Sequence, residues 1–160
     1  MDLVKESGEF TLKRVVQLKI PIGVDLLQAI EEGLAKHGID SAVILGGVGA
    51  LRKAVFRNVR VMPPDFQVTD NERLYLVVEK PLELVSLTGW VARRREDERP
   101  EVHAHFSASY VEGDTVRTVG GHLTPGTETL VKVVVTLGVF EETQWARVDQ
   151  PHGQWDLDLK

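Results

Sequence analysis

The stretch EVHAHFSASYVEGDTVRTVGGHL, Glu101–Leu123, carries three of the chain's five histidines. Val102, Ala104, Phe106, Ala108 and Tyr110 fall on one side, and Glu101, His103, His105, Ser107 and Ser109 on the other. A period of two marks a strand with one buried face. His103 and His105 therefore leave the same polar side, with about 7 Å between them along the backbone. Gly113 and Asp114 supply a turn, so TVRTVGGHL returns antiparallel. That geometry expects His103 opposite about position 123 and His105 opposite about 121, with His122 between them. The glycine pair before His122 reads as a bulge that re-aims a side chain.

Working outward, the same alternation marks a strand from near Glu9 to Ile20. One convincing helix follows. Asp25 is its cap, Gln28 stands three residues on as in a capping box, and Leu26, Leu27, Ile30 and Leu34 share a face. Gly38 stops it, and His37 reads as a helix-end residue. SAVILGGVGALRKAVFRNVRVM reads as a strand, a glycine-rich turn and a second strand. GGVG lacks the Lys-Ser/Thr of a phosphate loop, and strand follows it instead of helix. RLYLVVEK and LELVSLTGWVARR read as strands adjacent in the sheet, and ETLVKVVVTLGVF as the last long strand. The tail RVDQPHGQWDLDL has turn residues and one large aromatic, Trp155. One helix with about seven strands predicts an α+β (α/β) class. The expectation is a single domain, 1–160, on a mainly antiparallel or mixed central sheet with one principal helix.

Hydrophobic residues make up 42% of the 160 residues, enough for a core. There is no cysteine, so disulfides and thiolate metal sites are excluded and a metal must use His, Asp or Glu. The N-terminal MDLVKESGEF is charged and has no apolar run, and LVKVVVTLGVF is too short to span a bilayer. These features give a soluble, cytoplasmic expectation with no membrane partner. The net charge of −5 opposes direct DNA binding, which draws on a basic excess. Arg93–Arg95 is followed by Glu96, Asp97 and Glu98, and reads as a charge-balanced loop.

From spacing alone, two readings of the histidines stand side by side. One is a site of three imidazoles with an open fourth position, for which zinc is the default and iron, nickel or manganese fit the ligand type. The other is a polar strand face with hydrogen-bonded histidines. No cysteine nucleophile exists, and no nucleophile elbow surrounds Ser107 or Ser109. Glu101 is a candidate base or supporting partner on the same face. A metal-bound water would do hydrolytic or lyase chemistry, yet no residue names a substrate, and a binding protein is the first expectation.

GVDLLQAIEEGLAKHGIDSAVILGGVGAL, LELVSLTGWV, VHAHFSAS, VGGHLTPGTETLVKVVV and the closing RVDQPHGQWDL together resemble the PPC (plants and prokaryotes conserved) domain across about residues 11–157. The resemblance implies a mainly antiparallel sheet, a homotrimer, and a metal on His103, His105 and His122. It also implies the alternative of a DNA-associated or regulatory module. In plants, Arg-Gly-Arg-Pro hooks in front of the domain read the DNA, and no such hook is present in this sequence. Tyr110 stands where the family commonly has an acidic residue. A trimer would still concentrate Arg57, Arg60 and Arg93–Arg95 on one surface.

Overall fold

The computed structural model describes residues 3–150 and 152–159. Met1 and Asp2 of the charged start, Pro151 of the closing motif and Lys160 lie outside the described residues. In chain order the elements are β1 (Leu12–Ile20), α1 (Leu26–His37), β2 (Ala42–Val59), β3 (Arg73–Val78), β4 (Leu82–Arg94), β5 (Pro100–Glu112), β6 (Thr115–Leu123), β7 (Glu128–Phe140), β8 (Trp145–Asp149) and β9 (Gln154–Asp158). The α+β expectation is corrected by this order. The protein is predominantly β, with a helix of 12 residues beside one large mixed sheet. The tail accounts for part of the error, since it forms a hairpin of two strands that its turn residues concealed.

The helix forms as its sequence predicts. The Asp25 side chain accepts the Gln28 amide at 3.0 Å, and its other oxygen takes the Gly126 amide at 2.5 Å. That second bond ties the start of α1 to the link between β6 and β7. Gly38 closes the helix in the left-handed conformation, at φ 61°. Leu26, Ile30 and Leu34 are fully buried, and they share one core with Leu18 and Ile20 of β1 and Val133, Val135 and Leu137 of β7. Leu27 is only half-buried.

The glycine-rich segment departs from expectation. Residues 42–59 form one continuous strand of 18 residues, so the predicted turn is absent. Its pairing with β7 slips at Ile44/Gly46, Gly49/Leu51 and Leu51/Lys53. Gly49 shows why a side chain is lacking there: a Cβ would stand 2.1 Å from the Lys132 carbonyl oxygen. The glycines therefore mark bulges and close backbone approach along a bent strand.

β2 organises the sheet. On one edge β4 pairs with residues 42–51 and β3 with residues 54–59. β3 and β4 thus lie end to end along β2, which corrects the expectation that they are neighbours. On the other edge β7 pairs with residues 42–53 and β6 with Phe56 and Arg57. β4 also pairs β5, and β5 pairs β6, so β2, β4, β5 and β6 form a closed circuit of pairings. Phe56 and Phe106 are both buried and stack at 4.4 Å between ring centroids. β8 joins the sheet in parallel with β4.

Candidate metal centre

β5 alternates as predicted. Ala104, Phe106 and Ala108 are buried, whereas His103 is half-buried and His105 exposed. β6 pairs with β5 without a register shift, and His105 stands directly opposite His122. The predicted register is off by one position, and the glycine pair makes no bulge in this ladder. Gly120 and Gly121 have a different role. A Cβ on Gly121 would stand 2.6 Å from the Asn58 amide nitrogen and 2.9 Å from the Arg57 carbonyl oxygen. The Asn58 side chain donates to the Gly120 carbonyl at 2.9 Å. The bare backbone therefore lets β6 lie against the end of β2, which sets His122 in place.

The three imidazoles converge. One potential ligand atom from each lies within 4.8 Å of the others. His103 Nε2 and His105 Nε2 are 3.3 Å apart, and the His122 ring stands nearly perpendicular to both, at 88° and 89°. Two nitrogens bound tetrahedrally at zinc distances would stand about 3.3–3.4 Å apart, so the His103–His105 pair already has that spacing and the donor set fits a metal ion in its chemistry. Trp90 stacks on His103 at 5.0 Å between centroids and fixes its ring plane. Burial, followed by the nearby charge of Arg57, lowers the pKa of His122 to about 3. Burial is also the largest cause of the lowered pKa values of His103 and His105. All three rings are thus neutral near pH 7, the form that ligates a metal.

The cross-strand registers place the site on one rung. Tyr75 of β3 faces Arg57 of β2, Arg57 faces His122 of β6, His122 faces His105 of β5, and His105 faces Thr88 of β4. Directly opposed residues share a face of the sheet. The rung borders a cavity of about 580 Å³, whose other walls include Phe66, Arg73 and Trp155. Asp149 accepts from His152 Nδ1 at 2.7 Å on the same wall. Sequence reading missed the position of Arg57, the Asp149–His152 pair and the aromatic wall. Asp149 and His152 stand three residues apart and were legible locally, whereas Arg57 and the aromatic wall depend on registers between distant strands or on the tail hairpin.

The other expected residues go elsewhere. The Glu101 carboxylate is held by Arg94 Nε at 2.8 Å and does not line the cavity. Arg93 pairs with Asp40 at 2.9 Å, and Arg95 with Asp158. The arginine run is charge-balanced as read, but mainly by acids distant in sequence. His37 ends the helix, as expected.

A predominantly β domain with three neutral imidazoles converging beside an open cavity defines a class of candidate metal-binding proteins. The chain belongs to the Plants and Prokaryotes Conserved (PCC) domain family, whose pattern matches residues 7–141. The match ends before the closing RVDQPHGQWDL. The metal-containing protein AF0104 from Archaeoglobus fulgidus has a similar structure, with a TM-score of 0.75 and 27% identity over 96% of this chain and 99% of that one. A plant- and prokaryote-conserved protein from Pyrococcus horikoshii is 28% identical, with a TM-score of 0.71 over 96% and 98% of the two chains. A Bacteroides thetaiotaomicron protein provisionally called DNA-binding shares the fold, with a TM-score of 0.73 at 17% identity over 96% and 97%. In sequence, the chain is also 28% identical over 139 residues to the bifunctional protein GlmU of Synechococcus sp. (strain JA-3-3Ab). It spans 86% of this chain but 19% of that curated relative's length. No helix among the described residues is long and apolar enough to cross a membrane.

Proposed function

We propose that this chain is a metal-binding protein that works as a homotrimer of single 1–160 domains, with His103, His105 and His122 holding a divalent ion, zinc by preference. The carrying observation is the convergence of three neutral imidazoles with ligand atoms within 4.8 Å of one another. Likeness to a protein itself called metal-containing supports it. A bound ion would supply a Lewis-acid position open to one more ligand. The chain's own part is to keep the rings unprotonated and oriented, through burial and the Trp90 stack. Exposed apolar residues support assembly: Leu45 and Val48, neighbours on β2, are 52% and 76% exposed. The arginine run does not favour a DNA-binding reading, because each of its guanidinium groups already has a carboxylate.

Native mass spectrometry of protein purified without chelator tests both parts at once. The expected species has three times the 17.8 kDa chain mass and one metal ion per chain. His103→Ala/His105→Ala is expected to keep the mass of three chains and lose the ions. Metal-free wild-type protein after growth with zinc would overturn the metal reading, and a monomer would overturn the assembly.

A further inference from the structure

Beside the histidines stands a cation that no carboxylate among the described residues pairs with, its side-chain partner being Tyr75. Arg57 is half-buried and shares its rung with His122 and His105. The acid acting on it, Asp70, is already engaged by Arg73 at 3.2 Å and by the Tyr75 hydroxyl at 3.1 Å. The cavity's own acids are turned to other partners. Asp149 is bonded to His152 at 2.7 Å, and the exposed Asp156, whose charge acts on His103 and not on Arg57, accepts the Leu157 amide at 2.9 Å. Arg57 contrasts with Arg73, Arg93, Arg94 and Arg95, each of which has a carboxylate partner. A divalent ion on the imidazoles would bring a second positive centre next to this guanidinium. Two such charges repel in a partly dry site unless an anion lies between them. A guanidinium is shaped to take one oxyanion by two parallel hydrogen bonds.

Part of the remaining wall is apolar. Met62, Phe66 and Trp155 line the cavity of about 580 Å³, a volume suited to a small molecule. Phe66 sits at φ 59°, a conformation that non-glycine residues rarely adopt and that is concentrated where a ligand is clamped.

We infer that this cavity takes a small carboxylate with an apolar body, its oxygens bridging the metal position and the Arg57 guanidinium and its body lying against Phe66, Met62 and Trp155. The inference rests on the metal reading above and names the class of ligand for the same site.

Cobalt(II)-loaded protein tests it, because the visible absorption of the ion reports its coordination. Benzoate is expected to change that spectrum saturably, and benzamide, its neutral counterpart, to leave it unchanged. Acetate should need a concentration roughly tenfold or more higher, for want of the apolar body. Arg57→Gln should weaken benzoate by about 10- to 100-fold, the usual effect of losing a charge-assisted hydrogen-bonding partner. In buffer without carboxylates or phosphate, the same variant should hold cobalt at least as tightly as wild type, since a repelling charge has gone. A merely structural arginine would loosen the metal instead. If cobalt binds but benzoate does not, or binds wild type and Arg57→Gln alike, the inference is overturned and the metal reading stands. Acetate and benzoate binding equally would overturn the apolar part. Failure of cobalt to bind the histidines removes both readings, and shows itself before benzoate is added.

Discussion

The two sides of β5 share one backbone and differ in almost everything else. Inside the closed circuit, Ala104, Phe106 and Ala108 are at most 2% exposed, and Phe106 stacks on Phe56. Outside it, His103 and His105 meet His122 and form no part of the core. Neighbouring residues thus carry separate tasks, stability on one side and chemistry on the other. A strand permits this because each successive side chain reverses direction.

The division breaks first at Phe106. Phe106→Ala is expected to cost about 3–5 kcal/mol, because it opens a cavity opposite Phe56. Urea unfolding of metal-free protein measures it, with His103→Ala in parallel expected to cost far less. Equal costs would mean that the outer side bears the fold as well.

Acid sharpens the contrast. The folded state holds His122 at about 3, whereas an unfolded histidine titrates near 6.5, so the unfolded chain binds more protons between these values. Metal-free protein should therefore lose stability as the pH falls below about 6.5 and be indifferent to this group above it. His122→Asn should flatten the fall, by at most about 1.4 kcal/mol per pH unit and less after solvent screening. Stability curves for wild type and variant that stay parallel between pH 7 and pH 4 would contradict the assignment.

The smallest effect is expected at the arginine run. Arg93→Gln removes a solvent-screened pair with Asp40 and should leave the urea midpoint close to that of wild type and the metal content unchanged. A larger loss, or loss of metal, would join this region to the site.

What the sequence made legible was local. The helix with its Asp25 and Gly38 ends, the alternation of β5 and the turn at Gly113 all depend on residues a few positions apart. The convergence of the histidines followed from these, within one position of register. The long β2 was misread because Gly49 is bare for the sake of β7 and Gly47 for the leucines of β4, both far along the chain. The class was misjudged for a different reason: the tail hairpin is built from two strands of five residues, too short to show an alternation against their turn residues. Arg57 gave no local sign either. Its alternation with buried Phe56 placed it on an outer face, but only the pairing with β6 put it beside His122.

The rung from Tyr75 through Arg57, His122 and His105 to Thr88 has a consequence for how the protein comes into being. Five strands contribute one residue each. A slip of one residue in β6 against β5 would turn His122 toward Phe106 and leave its neighbours facing empty positions. The three histidines need only the β5–β6 hairpin, so they meet early. Arg57 and Tyr75 join them only in molecules whose β2 has closed in register on β6 and β3, so the complete rung marks long-range assembly.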